Sequence, residues 1–320
     1  MHIPDGFLDL KTCLGSFCVA GAGFAIALRK VNASCSDKTV PLLGVMSAFL
    51  FAGQTVNFPI GGGISGHLLG SALASIVLGP SGAALVMATV LFVQCLLFQD
   101  GGITTLAANF LNLGLVAVGT GSLVFRSLSR WANGPSSLVV PVAVASWCSV
   151  LAASLSCALE LAGSGTVSLR VVLAPMLVIH AVIGLGEAAI TTAMITFLVR
   201  VRPDLIYDPA KQLKFRPAAA GTARSHVLAG LAMAVGVVLL ATPFSSPLPD
   251  GLEALAEKLN FQNRARTFWP APLPEYSFPG SSPEWLSVSL AVICGIIFTL
   301  VLLWGFARWL RRPRTESHAD

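Results

Sequence analysis

Residues 171–200 read VVLAPMLVIHAVIGLGEAAITTAMITFLVR, a stretch in which Glu187 is the only acidic residue and Arg200 the only Lys or Arg. About 20 consecutive apolar residues are enough for an α-helix to cross the roughly 30 Å hydrocarbon core of a bilayer. The stretch therefore predicts a membrane-spanning helix, and the rest of the chain contains further stretches of the same kind.

The composition of the whole chain is that of a membrane protein. Of its 320 residues, 55% are hydrophobic and 11% are charged, and the mean hydropathy is +0.79. A soluble domain carries roughly 25% charged residues, so neither a water-soluble enzyme nor a nucleic-acid partner is expected. The seven cysteines have no paired spacing, and we expect them to be small buried hydrophobic residues rather than disulfides.

Nine stretches along the chain are long and apolar enough to be membrane spans. We therefore expect an all-α integral membrane protein, a polytopic helical bundle of about nine transmembrane helices. The third and fourth stretches could form a bent or re-entrant pair, because they are short and rich in glycine. The predicted spans are 12–28, 40–58, 64–80, 82–99, 103–125, 137–162, 171–200, 226–244 and 285–309.

The positive charges indicate the orientation of this bundle. With nine spans and an external N-terminus, fifteen Lys and Arg residues fall on one side of the membrane and five on the other. Cytoplasmic loops carry the excess of Lys and Arg, so we expect the N-terminus outside and the C-terminus in the cytoplasm. The five residues predicted to lie outside are Lys11, Arg170, Lys258, Arg264 and Arg266.

A polar, basic and proline-containing segment divides the chain into two membrane modules. The outer loop of the second module, 245–284, contains Pro249-Asp250-Gly251, which repeats Pro4-Asp5-Gly6 near the N-terminus. The predicted units are a seven-span module at 1–200, a cytoplasmic linker at 201–225, a two-span module at 226–310 and a cytoplasmic tail at 311–320.

The first residues, Met1-His2-Ile3-Pro4-Asp5-Gly6, are a candidate metal chelator. A free amine on Met1, the amide nitrogen of His2 and the Nδ1 atom of its imidazole can close two adjacent chelate rings. Three nitrogen atoms then lie nearly in one plane, which suits Ni(II) or Cu(II). The segment lacks the features of a secretory signal, so we expect Met1 to stay in place on the outside. A type I turn over Ile3–Gly6 is expected to fold it back into the bundle.

A fourth nitrogen donor is expected from His67, which ends the Gly-rich loop that starts at Asn57. The charge distribution places this loop on the same side of the membrane as Met1. Two alternatives stay open at this point, since His2 could be an untethered terminal residue and His67 a helix-capping donor.

Other polar residues are candidates for supporting roles around such a site. His180 and Glu187 are seven residues apart and share one helix face, and ionisable residues within spans usually face the bundle interior. Asp100 and Asn109 lie at the predicted outer mouth, where they could hold the N-terminal segment or belong to an ordinary solvated loop. The supporting candidates are Asp5, Asn57, Asp100, Asn109, His180 and Glu187.

Several enzyme motifs are absent from the sequence. It contains no GxxxxGK[ST] phosphate loop, so we do not expect the chain to hydrolyse ATP itself. It contains no HExxH and no GxSxG motif either, and no catalytic residue is predicted. An intramembrane metal-dependent hydrolase built on His180 and Glu187 would need a second helix of metal ligands with a recognisable spacing.

Four motifs resemble one family of membrane proteins. MHIPDGFL at the start, QTVNFPIGGGISGHLLG at 54–70, QCLLFQDGGITTLAANFLNLG at 94–114 and HAVIGLGEAAIT at 180–191 resemble the CbiM/NikM family. Its members are the substrate-binding membrane subunits of energy-coupling-factor transporters for cobalt and nickel. The PLPDGLE stretch at 247–253 resembles the small partner subunit, CbiN/NikN, here on the same chain.

The resemblance implies a ligand set and a substrate. In the family the N-terminal segment inserts into the bundle, and the metal is held by groups that correspond to the amine of Met1, the amide and imidazole of His2, and His67. Thr55 stands where relatives often carry methionine. The HIPDG start resembles the nickel-type members, so Ni(II) is expected as the transported substrate, with Co(II) as the alternative and no permanent cofactor.

The resemblance also implies partners and a location. We expect the chain to be the substrate-capture subunit of an ATP-driven, ABC-type importer in the inner membrane of a bacterial cell. Its expected partners are a transmembrane coupling subunit, two cytoplasmic ATPase subunits and the lipid bilayer. The alternative from a different class is a self-sufficient metal permease or channel, which should carry ionisable residues in several spans.

Overall fold

The computed structural model describes residues 1–33, 39–132, 134–207, 223–278, 280–281 and 283–310. These residues are mostly helical, and they include one antiparallel hairpin of strands β1 (Asn57–Gly61) and β2 (Ile64–His67). The helices are α1 (Leu10–Ala33), α2 (Thr39–Gln54), α3 (Ser71–Phe98), α4 (Leu106–Ser129), α5 (Val139–Gly163), α6 (Leu169–Val201), α7 (Ala223–Ala241), α8 (Gly251–Lys258) and α9 (Glu284–Leu310).

In this described part, six helices are long and apolar enough to cross a membrane, judged by length and composition: α1, α3, α4, α5, α6 and α9. Two shorter apolar helices are α2 and the stretch Leu228–Phe244, which includes most of α7. The expectation of a helical, multi-pass membrane protein is therefore confirmed. The count of nine spans and the external N-terminus stay predictions.

The structure corrects the predicted helices between residues 55 and 70. The second predicted span, 40–58, ends as a helix at Gln54, and the third, 64–80, begins as strand β2. Three successive glycines with positive φ, at 61, 62 and 63, form the turn of the hairpin. A helix cannot continue through such a run, because residues with positive φ leave the right-handed helical region.

The third and fourth predicted spans meet in α3, which is bent at Gly79. Gly79 has φ 72° and ψ 168°, a conformation that strongly favours glycine, and Pro80 then starts the second arm. Gly70, just before the first arm, packs against Leu50 of α2. The ring of Phe98, at the end of the second arm, lies tilted against the ring of Phe51 in α2, with the two ring centroids 5.5 Å apart.

The bend lies about two helical turns further along α2, because Gly82, just after the bend, packs against Leu43, seven residues from Leu50. Both ends of α3 therefore lie beside the same part of α2, at residues 50 and 51, whereas the bend lies beside residue 43. The segment thus folds back on itself. This is the arrangement of a re-entrant pair, and it returns the chain to the end of the bundle where the hairpin lies.

The C-terminal helices pack on the same helix, α2. Gly230 of α7 lies against Val45, and Gly295 of α9 lies against both Phe51 and Phe98. The loop after α7 then runs along the hairpin, where Ser246 N donates to the Asn57 carbonyl at 2.9 Å. The second membrane module is thus packed against the first and reaches its hairpin.

Parts of the predictions lie outside the described residues. These are residues 208–222 of the linker, the whole tail at 311–320, and Cys35. The six cysteines within the described ranges are free. Cys95 and Cys157 are buried as expected, whereas Cys18 and Cys294 are exposed on the surfaces of their helices.

The bend at Gly79 should tolerate no side chain. A Cβ added there would lie 2.7 Å from the Tyr207 ring, and the backbone conformation itself is costly for other residues by about 1–3 kcal/mol. We expect Gly79→Ala to lower the thermal unfolding temperature of the detergent-purified protein. The matched control is Gly119→Ala in α4, where nothing lies within 4 Å of the added atom. Equal unfolding temperatures for the two variants would contradict this account of the bend.

Candidate metal centre

The N-terminal segment is held by main-chain and side-chain hydrogen bonds centred on Ile3, which is fully buried. The side-chain amide of Asn109 makes two of them, accepting from Ile3 N at 2.8 Å and donating to the Ile3 carbonyl at 3.0 Å. The same carbonyl accepts from Thr105 Oγ1 at 2.6 Å and from Gly102 N at 3.0 Å. The structure therefore places Asn109 as an anchor of this segment.

Asp5 anchors the same segment two residues further on. Its carboxylate accepts from Ile103 N at 3.2 Å and from Thr104 N at 2.7 Å. The predicted type I turn over Ile3–Gly6 is wrong in both position and type. The turn runs over residues 4–7, and Gly6 at its third position has φ 87°, which makes it a type II turn.

The amine of Met1 is buried at the centre of the site. It lies 2.7 Å from His67 Nε2 and 2.8 Å from Asp250 Oδ2. His67 Nδ1 lies 3.0 Å from the Leu68 carbonyl, which can only accept, so Nδ1 carries the proton of the ring. Nε2 of a neutral His67 is then free to accept from the amine.

His2 lies beside His67, and the two rings stack in parallel with their centroids 5.3 Å apart. Nδ1 of His2 contacts Asp100 Oδ1 at 2.9 Å, and the other Asp100 oxygen accepts from the Tyr276 hydroxyl at 2.6 Å. Nε2 of His2 is buried and has no hydrogen-bond partner among the described residues. A chelate that uses Nδ1 therefore requires His2 to exchange its contact with Asp100 for the metal.

Two carboxylates face this group of nitrogens. Burial is the largest single influence on the pKa of Asp250 and raises it, but the Met1 amine, His67 and the hydrogen bonds to the carboxylate together outweigh burial and hold this pKa well below its usual range. For Asp100 burial is also the largest influence and raises the pKa, and His2, the hydrogen bond from Tyr276 and His67 together outweigh it. Both groups are therefore ionised at neutral pH, and together they supply two negative charges.

Glu187 lies behind His67 rather than beside the amine. Its two oxygens accept from Leu69 N at 2.7 Å and from Gly70 N at 2.9 Å, at the beginning of α3. These bonds fix the chain directly after the Leu68 carbonyl, which in turn fixes the His67 ring. Glu187 thus supports His67 through the main chain.

The remaining candidates lie at the edge of the site. The main chain of Asn57 pairs with the outer loop, and its Cα pairs with that of His67 across the hairpin. His180 donates from Nδ1 to the Met176 carbonyl at 2.8 Å, and its buried Nε2 has no partner among the described residues. Residue 251 of the outer loop packs against the His180 ring.

No group of three or more His, Cys, Asp or Glu side chains is arranged to hold a metal ion within the described part of the chain.

Sequence reasoning missed Asp250 and Tyr276. Asp250 could have been found as a helix start, because it forms a capping box with Glu253. Its Oδ1 accepts from Leu252 N and Glu253 N at 2.8 and 2.9 Å, and Glu253 Oε2 accepts from Asp250 N at 3.0 Å. No sequence signal pointed to Tyr276.

The fold and site together define a class: a multi-pass helical membrane protein with a buried group of nitrogen and carboxylate donors at one end of the bundle. Residues 2–205 match the family described as the cobalt uptake substrate-specific transmembrane region, and residues 224–312 match the PDGLE domain. The chain belongs to this cobalt-uptake family and carries the PDGLE domain after it. The resemblance to CbiM/NikM with a fused CbiN/NikN-like region is thereby confirmed.

Relatives match over the full length. The chain is 34% identical over 319 residues to an Archaeoglobus fulgidus protein provisionally named fused nickel transport protein NikMN, covering 97% of this chain and 99% of the relative. It is 29% identical to the fused nickel transport protein NikMN of Rhodobacter capsulatus, covering 92% and 94%. A crystal structure of a truncated transition metal transporter is similar with TM-score 0.57 and 34% identity, covering 62% of this chain and 99% of that one.

We expect Glu187→Gln to weaken metal binding at this candidate site, although Glu187 does not face the amine. Glutamine has one acceptor oxygen, so one of the two main-chain N–H groups loses its bond and the His67 loop loosens. Loss of such a supporting partner typically costs 10–100-fold in metal affinity. Titration of the purified protein with Ni(II) measures this.

The matched control is Thr191→Val, one turn along α6, since the buried Thr191 hydroxyl has no partner among the described residues. We expect its affinity to match the unchanged protein. Equal affinities for the Glu187 and Thr191 variants would show that Glu187 does not support His67.

Proposed function

We propose that this chain captures Ni(II) for ATP-driven uptake, with Co(II) as the alternative substrate. The observation that carries the proposal is the buried Met1 amine, 2.7 Å from Nε2 of His67. Two nitrogen donors share a proton there in the absence of metal. When the amine loses its proton, both lone pairs become available to a metal ion at the same place.

The proposed ligands are the Met1 amine, the amide and imidazole of His2, and His67. Four nitrogen donors in a plane suit Ni(II), whereas Zn(II) prefers tetrahedral sites. Cu(II) also binds planar nitrogen sites well, so its exclusion would depend on its availability. The contact between His2 and Asp100 has to open for His2 to take part.

The charges of the site support a divalent substrate. The buried Met1 amine carries one positive charge when no metal is bound, and Asp100 and Asp250 carry two negative charges nearby. A divalent ion bound there is offset by the two carboxylates, while the amine and the His2 amide each release a proton. Because binding displaces protons from nitrogen ligands, metal affinity should fall as the pH is lowered.

The proposed partners are a transmembrane coupling subunit and two cytoplasmic ATPase subunits in the inner membrane of a bacterial cell. Three observations support this: the family match, the relatives named for nickel transport, and the lack of a phosphate-binding loop in the sequence. In this arrangement the N-terminus faces outside, where the metal enters.

Metal titration tests the capture role. We expect about one Ni(II) per chain, weaker binding of Co(II) and the weakest of Zn(II), because of the planar nitrogen set. His67→Gln removes a ligand and should lower Ni(II) affinity by more than about 100-fold, beyond the cost of losing a supporting group.

The control for His67 is Thr191→Val, which changes a buried polar side chain outside the proposed ligand set. Its affinity should stay within about threefold of the unchanged protein, less than the loss of a supporting group. Equal affinities for Thr191→Val and His67→Gln would mean that His67 is not a ligand.

Transport in proteoliposomes separates the subunit from a self-sufficient permease. We expect nickel uptake only when the chain is reconstituted with its coupling and ATPase partners and supplied with ATP. Equal uptake by the chain alone would favour the permease.

A further inference from the structure

The carboxylate of Asp250 connects the PDGLE domain to the metal site of the first domain. Its two oxygens have separate roles: Oδ1 caps α8, and Oδ2 lies 2.8 Å from the Met1 amine and 3.9 Å from His67 Nε2. The amine and His67 belong to the region matched at 2–205, whereas Asp250 belongs to the one matched at 224–312. One side chain of the second region is thus in direct contact with a proposed ligand.

The position of Asp250 is fixed from the side of the hairpin. Ser65 N donates to the Pro249 carbonyl at 2.9 Å, and Ser65 Oγ donates to the Leu248 carbonyl at 2.6 Å. Ser65 precedes His67 by two residues on strand β2. Strand β2, which carries His67, therefore also fixes the outer loop that carries Asp250.

The position is also fixed from the side of α6. A Cβ at Gly251 would lie 3.0 Å from the His180 ring and 2.9 Å from Ile179, so only glycine allows this close approach. Asp250 caps α8, and its Oδ1 accepts from the main-chain N–H groups of residues 252 and 253, which restricts the rotation of its side chain. The carboxylate is therefore fixed in the position where it contacts the amine.

We propose that Asp250 is a positioning residue for metal capture. Its carboxylate accepts an N–H of the terminal amine, keeps the amine against His67 and supplies negative charge beside the divalent ion. When the metal binds, the ammonium and the His2 amide each lose one proton to solvent, and the bound amine keeps two N–H bonds, one of which stays on Asp250. This inference rests on the proposed function, and it makes the site incomplete without the docked PDGLE loop.

Asp250→Asn in the full-length chain separates this role from helix capping. Asparagine caps a helix about as well as aspartate but carries no charge. We expect its Ni(II) affinity to fall about 10–100-fold, as for other groups that orient a ligand. The absorption spectrum of the bound Ni(II) should stay the same, because the carboxylate is not a ligand. Asp250→Ser, which introduces a second kind of uncharged capping residue, should show the same loss of affinity and the same spectrum.

The matched control is Glu253→Ala, which removes the other half of the capping box without touching the amine. Its affinity should stay within about threefold of the unchanged protein, below the range for groups that orient a ligand. Thermal unfolding of the metal-free variants checks that each one is folded.

Three results would overturn the inference while leaving the proposed function in place. Unchanged or tighter binding by Asp250→Asn would mean that Asp250 only pairs with the ammonium and competes with the metal. A changed Ni(II) spectrum would mean direct coordination. An equal loss of Ni(II) affinity in Glu253→Ala would mean that Asp250 acts only by capping α8. If the unchanged protein bound no metal, the proposed function would fail and this inference with it.

Discussion

The site is organised around one buried ammonium group, the amine of Met1, held between an imidazole and a carboxylate. A buried charge is costly unless it is paired and hydrogen-bonded. The surrounding structure meets that need with His67 on one side and Asp250 on the other. Asn109 and Asp5 hold the following residues, so that the amine stays at its place and does not fray into solvent.

The second constraint is the satisfaction of main-chain groups. Non-helical backbone within a membrane bundle is tolerated only where protein or water satisfies its N–H and C=O groups. Here the hairpin 57–67 and the outer loop near 245–250 satisfy one another, and the loop after α3 together with Asn109 satisfies the N-terminal residues. Glu187 completes the set by accepting from Leu69 N and Gly70 N. The same bonds that make this backbone acceptable also bring the proposed ligands together.

Much of the fold could be predicted from the sequence, because long apolar stretches such as 171–200 can be interpreted only as membrane-spanning helices. The hairpin falls at the ends of two predicted spans, because apolar residues such as Phe58 and Ile64 continue the apolar stretches of the neighbouring helices. The run of three glycines at 61–63 is the signal that marks a turn there. The bend at Gly79-Pro80 follows a dipeptide that marks turns, and the re-entrant geometry was open as an alternative.

The candidate site was partly predictable for a similar reason. Met1 and His2 are adjacent in sequence, and the structure brings His67 to the amine of Met1. Asp250 was missed because its contact with Met1 joins residues nearly 250 positions apart, which no local pattern encodes. The recurrence of Pro-Asp-Gly at 4–6 and 249–251 hinted at the loop. In the structure, however, Asp5 binds the loop after α3, and Asp250 binds the amine.

The most direct test is the metal content of protein tagged only at its C-terminus, measured by mass spectrometry, beside a version with one extra residue before Met1. The extra residue converts the Met1 amine into an amide and displaces the free amine from its position between His67 and Asp250. The account predicts about one nickel per chain in the first protein and loss of the metal in the second. Equal nickel in both would contradict the central claim that the terminal amine is a ligand.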